Sequence, residues 1–176
     1  RSFLPNPERG IYKSTDGGET WKQSLFVSDS TGSIDIVMDP TNPSFLIAAM
    51  WERVRRPNDS HLFGTSGGIY RSTDAGVTWH SLGNPNGLPS STSENVGRIG
   101  LAMCKSKPNI IYALYNDGST YSGLYKTTNY GDNWTNVDPD NEIANGTSDF
   151  SWYFGQVRVH PINPDIVYVM DVGSAF

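Results

Sequence analysis

The chain is poor in the residues that most often carry chemistry or cross-links. Cys104 is its single cysteine, so no disulfide can form within it. A lone cysteine in an apolar strand reads as a small buried residue rather than a nucleophile. The three histidines, His61, His80 and His160, are isolated from one another and match no metal-ligand spacing, so no metal and no other cofactor is expected. No apolar run approaches the roughly 20 residues of a membrane-spanning helix, and no signal-peptide pattern is present. Membrane insertion is therefore not expected. Basic residues number 13 against 18 acidic ones, for a net charge of −5 and a pI near 5.0. That balance offers no basic stripe for nucleic acid. A phosphate-binding glycine loop and a Ser-His-Asp motif are also missing. Helical apolar periodicity is absent too, including from the acidic stretch 138–149.

Turn residues and tryptophans are plentiful instead, and they recur. Ser14-Thr15-Asp16-Gly17-Gly18-Glu19-Thr20-Trp21 returns as Ser72-Thr73-Asp74-Ala75-Gly76-Val77-Thr78-Trp79. It returns again, altered, as Thr127-Thr128-Asn129-Tyr130-Gly131-Asp132-Asn133-Trp134. The tryptophans are 79 − 21 = 58 and 134 − 79 = 55 residues apart. Each copy follows a Gly-(Ile/Leu)-Tyr-(Lys/Arg) lead-in ending at Lys13, Arg71 and Lys126. Each reads as a β-hairpin. Ser and Asp side chains accept from nearby backbone N–H groups and close the turn. Gly18, Gly76 and Gly131 share a position that calls for positive φ. The third copy carries Thr127 for Ser and Asn129 for Asp, so its hairpin is expected to be looser.

A second element repeats out of phase. Apolar residues alternate at Ile34/Ile36, Ile99/Leu101 and Val157/Val159, the period of a strand. Each run leads through a Pro/Asn turn into a second apolar run, at 45–49, 110–114 and 166–170. One period is thus four strands, A to D, and four antiparallel strands per repeat make a propeller blade. The expected class is all-β: a β-propeller of four-stranded antiparallel blades, with this chain about three blades of a larger one. Strands C–D of one blade fall at about 10–26, whole blades at 33–82 and 98–137, and strands A–B of another at 156–170. Three blades' worth of strands is fewer than a closed ring needs, so the remaining blades are expected as partners.

The Ser-x-Asp-x-Gly-x-Thr-Trp pattern resembles the Asp-box, or bacterial neuraminidase repeat. That repeat is found in sialidases, xyloglucan-active glycoside hydrolases, sortilin-type receptors and a photosystem assembly factor. Asn6-Pro7-Glu8-Arg9-Gly10, the run Met50-Trp51-Glu52-Arg53 with Arg55 and Arg56, and Gly87-Leu88-Pro89 followed by Gly97-Arg98-Ile99-Gly100-Leu101 are similar to exported bacterial propellers labelled glycosyl-hydrolase-like or sortilin-like. The resemblance implies a secreted or periplasmic protein. It assigns structural roles to Ser14, Asp16, Gly18 and Trp21, to Ser72, Asp74, Gly76 and Trp79, and to Thr127, Asn129, Gly131 and Trp134. In such propellers the C–D turns lie on the outer rim, and the B–C and D–A loops form the substrate face.

That geometry directs attention to the loops at 52–67, 83–96 and 138–154. Trp51, Arg53 and Arg55 alternate and could stack on sugar rings or pair with carboxylates. The plainer reading is a tryptophan packed on the sheet with solvated arginines. Arg98, Trp152 and Tyr153 flank the innermost strands and either line a pocket or face channel water. Glycoside hydrolysis needs two carboxyl groups flanking the bond, and Glu94 and Asp149, in equivalent loops, are the best pair. Three readings follow: an exported scaffold that binds a glycan or polypeptide; part of a xyloglucanase- or sialidase-like glycoside hydrolase; or a sortilin-like receptor or assembly factor for a polypeptide. Asn58, Asn133 and Asn145 begin Asn-x-Ser/Thr sequences, which chance supplies readily in such a chain.

Overall fold

The computed structural model describes residues 4–58, 60–89, 96–118, 120–147 and 150–172. Strands β1 (Ile11–Lys13) and β2 (Lys22–Leu25) form an antiparallel pair. β3 (Thr31–Met38) pairs with β4 (Leu46–Glu52). The connection after β4 holds a small ladder of β5 (Val54–Arg55) and β6 (Ser60–His61). β7 (Gly68–Ser72) and β8 (His80–Leu82) complete a four-stranded sheet in the order β3-β4-β7-β8. The next sheet comprises β9 (Ile99–Met103), β10 (Ile111–Asn116), β11 (Tyr121–Thr127) and β12 (Thr135–Asn136), also in sequential order. β13 (Gln156–Val159) and β14 (Val167–Met170) form a last pair. Sequential antiparallel meanders stacked face to face are propeller blades.

Burial explains the stacking. All of β10 is buried, as expected of a strand covered on both faces. Ile111, Ala113 and Tyr115 join Ile47, Ala49, Ile69, Leu82, Ile99 and Trp134 in one core. Tyr112 and Leu114 turn the other way and pack with Tyr121, Leu124, Val157 and Val169 in a second. The period of two along a strand thus serves two interfaces from one segment.

The repeated turns have one geometry. In the first, Ser14 Oγ accepts from Gly18 N (2.8 Å) and Asp16 Oδ1 accepts from Thr20 N (2.9 Å). The Thr20 hydroxyl also donates to Asp16. The second repeats this with Ser72, Asp74 and Thr78. The third keeps the backbone bonds, Gly131 N to Thr127 Oγ1 at 3.0 Å and Asn133 N to Asn129 Oδ1 at 3.0 Å. What it lacks is the threonine hydroxyl bond, because Asn133 stands in that place. Its tryptophan compensates. Trp134 is 4% exposed in the first core, whereas Trp21 is 60% exposed. The expected loosening is therefore confined to one hydrogen bond.

Two consecutive residues in each turn have positive φ: Gly17 (75°) and Gly18 (99°), Ala75 (61°) and Gly76 (77°), Tyr130 (59°) and Gly131 (86°). In the second and third turns the first of the pair, Ala75 or Tyr130, presents its carbonyl to the preceding sheet. Lys13 Nζ donates to Ala75 O at 2.7 Å, and Arg71 donates to Tyr130 O at 3.2 Å. Arg71 also pairs with Asp132 Oδ1 at 2.6 Å. The basic residues of the first two lead-ins are thus clasps between neighbouring sheets. At the first interface Ser24 adds a relay. Its hydroxyl donates to Gly76 O and accepts from Trp79 Nε1 (3.0 Å). The indoles of Trp21 and Trp134 instead donate to the glycine carbonyl of their own turns.

Among the described residues helix is limited to single turns: 3-10 turns at Asn84–Asn86 and Glu142–Gly146, and one α-helical turn, α1 (Ser151–Phe154). Over 138–149, where the sequence shows no helical apolar period, the structure has one 3-10 turn at Glu142–Gly146. Such a turn is too short to show an apolar period, and side-chain acceptors hold it instead, as described below.

The three tryptophans occupy one repeat position in three environments, so their alanine substitutions should separate. Trp134→Ala should cost about 3–5 kcal/mol. Trp21→Ala should cost less than about 1 kcal/mol, with Trp79→Ala between them. Denaturant midpoints of the three variants would check the order; equal losses would contradict the packing described.

The turns also predict an acid response. Hydrogen bonds from the Thr20 hydroxyl and backbone, and from the Ser14 hydroxyl, hold the Asp16 carboxyl well below the usual range. Those from Thr78 do the same for Asp74. Their folded pKa values lie below the unfolded value of about 3.9. The stabilisation is therefore present above that value and lost as pH falls through it toward the folded values. Urea midpoints should drop from pH 6 to pH 3, and Asp74→Asn should flatten the drop. An unchanged slope in the variant would refute this origin.

Candidate functional site

Strand direction sorts the candidates. Leu46 of β4 pairs with Ser72 of β7, and Met50 pairs with Gly68. The box turn that follows Ser72 and the loop that follows Glu52 therefore lie at opposite ends of the sheet. The loop end gathers the arginines and aromatics.

Trp51 is 5% exposed and donates from Nε1 to Leu62 O at 2.7 Å, which ties it to the connection between β6 and β7. Its ring seats Arg53, whose guanidinium carbon lies 4.9 Å from the ring centroid. The backbone N–H of Arg53 and the Arg9 guanidinium both donate to Ser30 O, at 3.0 Å each. That shared carbonyl brings Arg9 beside Arg53. Burial lowers the Arg53 pKa, and the cations Arg55 and Arg9 lower it further, while Tyr153 opposes them. A groove of about 310 Å³ runs past Glu8, Arg9, Tyr12, Trp51 and Arg53. Arg55 sits in β5 with Arg56 beyond it, exposed.

A second group comes from the connection between β12 and β13. Asp138, buried, accepts from Tyr121 Oη (2.7 Å), Glu142 N (2.9 Å) and Ile143 N (3.2 Å). Those bonds wind the turn at Glu142–Gly146. Burial, then the bond to Asp138, pushes the Tyr121 phenol far up. Downstream, Ser151 is buried and donates to Asp171, so α1 turns its aromatics outward. Tyr153 is 47% and Phe154 42% exposed. Trp152, Tyr153 and Phe154 meet edge to face, with centroids 5.4 and 4.8 Å apart.

Arg98 joins the groups. It donates to Tyr153 O. Its pKa is lowered by burial, with Asp35 and Tyr153 opposing. Its own carbonyl accepts from Asn116 N (3.0 Å) and Nδ2 (3.1 Å). Tyr153 is therefore coupled electrostatically to both Arg53 and Arg98. Asp35, after the bulge in β3, accepts from Leu101 N at 2.9 Å. With Arg158, Met103 and Lys105 it lines a cavity of about 400 Å³ along the innermost strands.

The structure thus brings Trp51, Arg53, Arg98 and Tyr153 into one neighbourhood, with Trp152 on its edge. Glu94 and Asp149 lie outside the described residues. Glu52 is held as an acceptor by Ser66 N (2.9 Å) and Oγ (2.8 Å). Sequence reasoning missed Arg9 and Asp138. Arg9 recurs in no other copy, and Asp138 stood only as part of an acidic stretch. Among the described residues no group of three or more His, Cys, Asp or Glu is placed to hold a metal. Nor is any helix there long and apolar enough to cross a membrane.

No protein-family profile matches the chain. It is 27% identical, over 94% of its length, to the xyloglucanase Xgh74A of Acetivibrio thermocellus. It is 26% identical, over the same share, to a xyloglucanase of a Paenibacillus species. The chain spans only 20% and 16% of those relatives. Among solved structures it resembles the GH74 xyloglucanase from Xanthomonas campestris, with a TM-score of 0.67 and 13% identity over 98% of this chain and 24% of that one. An ancestral GH74 enzyme matches with a TM-score of 0.60 and 18% identity, over 90% of this chain and 18% of that one. The chain is a part of a β-propeller, homologous to GH74 xyloglucanases.

Asp138 anchors the turn at Glu142–Gly146. Asp138→Ala removes the acceptor of three donors and should cost about 1–3 kcal/mol. Tyr121→Phe, which removes one donor and leaves two, should cost about 1 kcal/mol. Chemical denaturation measures both.

Proposed function

We propose that this chain is a section of an exported glycoside hydrolase that acts on xyloglucan or a similar polysaccharide, and that its loop end holds the glycan. The repeated turns are read as Asp-boxes with a purely structural role. The observation that carries the proposal is the meeting of Arg53, Arg98 and Tyr153, from three separate connections, at the end of the strands opposite those turns. Exposed aromatic rings beside guanidiniums suit pyranose faces and hydroxyls. The likeness to xyloglucanases along 94% of the chain supports the same reading.

In this proposal the bond is cleaved by two carboxyl groups. One donates a proton to the glycosidic oxygen, and the other attacks or activates water. Glu94 and Asp149 stay the candidates for this pair. Further blades of the same propeller cover the outermost surfaces. These include Trp21, at 60% exposure on one side, and Tyr168, at 49% on the other.

The test is release of reducing ends from xyloglucan by the complete protein. Tyr153→Ala and Trp152→Ala should raise KM by about tenfold, the loss of a stacking contact. Glu94→Gln or Asp149→Asn should lower kcat by about 100-fold or more. Asp74→Asn should leave both parameters unchanged at neutral pH. A protein that cleaves no glycan, or one whose turnover survives both carboxyl substitutions, would defeat the corresponding part of the proposal.

A further inference from the structure

The two clasps between sheets share a second contact. Ala75, whose carbonyl receives Lys13, donates its own N–H to Ser44 O at 2.8 Å. Tyr130, whose carbonyl receives Arg71, donates its N–H to Asn109 O at 3.2 Å. One turn residue at positive φ thus has its carbonyl held by the preceding sheet. Its N–H is held by the connection between the first two strands of its own sheet.

A third set of holders is present. Lys126 stands in the third lead-in where Lys13 and Arg71 stand in theirs. Asp165 follows Pro164 and precedes Ile166, as Ser44 follows Pro43 and Asn109 follows Pro108. The turns around them match: Asp39 N donates to Phe45 O, Cys104 N to Ile110 O and His160 N to Ile166 O. Lys126 Nζ reaches Asp165 Oδ1 at 3.2 Å, so the two holders already face each other across the interface. No described residue donates to the Asp165 carbonyl. Beside it β14 is an edge. Strands β4 and β10 have a partner on each side, and β14 has only β13. The bond from His160 N to Ile166 O sets the alternation along β14. It turns the N–H groups of Tyr168 and Met170 to β13 and those of Val167 and Val169 to the open side.

We propose that this face takes a fourth box-type hairpin, from a segment of the complete protein beyond residue 176. Its first strand pairs with β14. Its turn residue, at positive φ, accepts from Lys126 Nζ and donates to Asp165 O. The turn residues of the two observed clasps follow their basic residues by 62 and 59 positions, so this one lies about 60 after Lys126. A donor and an acceptor placed for the two backbone groups of one residue, next to an open strand edge, select a hairpin over a sugar. The inference rests on the reading above that further blades adjoin this section, and it names the hold that joins the next one.

Hydrogen exchange of the complete protein, resolved to single amides, tests this. Val167 and Val169 should exchange as slowly as Tyr168 and Met170, whereas an open edge would make them exchange far faster. Lys126→Met keeps the aliphatic stem and removes the donor. It should quicken Val167 and Val169 about tenfold, the loss of one charge-assisted bond, and leave β4 unchanged. Lys126→Arg supplies the donor that Arg71 supplies at the preceding interface and should keep the wild-type rates. Asp165→Asn should keep them too, because the carbonyl and not the carboxylate does the holding. Fast exchange at Val167 and Val169 in the wild type would sink both this inference and the reading of an adjoining blade. Slow exchange that survives Lys126→Met, or that is lost equally in Asp165→Asn, would overturn the clasp and leave an adjoining blade standing. Protection that fades on dilution, with sedimentation showing copies that dissociate, would give the place to the first hairpin of a second copy and overturn the assignment.

Discussion

The structure depends on a turn held in a conformation that most residues avoid. Two adjacent residues at positive φ reverse the chain between the third and fourth strands. A Ser/Thr hydroxyl and an Asp or Asn side chain take up the backbone N–H groups that the reversal leaves unpaired. The same twist turns one carbonyl outward, where a lysine or arginine of the preceding sheet meets it. Closure of a hairpin and attachment of one sheet to the next are therefore one event. Ala75 and Tyr130 accept a left-handed conformation that glycine would adopt freely, and the clasp across the interface offsets that strain.

This arrangement frees the opposite end of the strands. The contacts between sheets are made by the box turns and by side chains that alternate across β10, while the connection after β8 adds Leu88 and Val96 to the first core. The loops hold themselves by local acceptors: Asp138 for the turn before α1, Glu52 for Ser66, and the Ser30 carbonyl for Arg9 and Arg53. The exposed positions of the loop end can change composition without disturbing the sheets, whereas Leu88 and Val96 cannot. That suits a scaffold whose relatives have much longer chains.

Much of the fold was legible because strands advertise themselves. Alternation at Ile99/Leu101 and Val157/Val159, with Asn-Pro punctuation, carries both strand identity and register. The tryptophan repeat carries the stacking period. The rest was hidden for physical reasons. β5 and β6 are two residues each, too short to show a period. The turn at Glu142–Gly146 is held by a distant buried carboxylate rather than by its own apolar face. Lys13 and Arg71 were visible as a repeated lead-in, but their partners lie in the next copy, 62 and 59 residues away. Of the candidate site, residue types were legible and their convergence was not. Arg53 and Tyr153 are far apart in sequence, and only the stacking order of the sheets brings them together.

The double-sided burial of β10 sets a direction for assembly. Each sheet touches only its neighbours, so order spreads along the stack as it does in a one-dimensional array. The sheet built on β10 can recruit partners on both faces, whereas the hairpin of β1 and β2 has a single neighbour within this chain. Amide exchange should therefore be slowest in β10 and quicken outward, with the Trp21 hairpin last to form and first to open. The guanidinium of Arg53 sits between those extremes, beside Arg9, which leads into that late hairpin. Maturation of the loop end would then wait on a strand pair at the end of the stack.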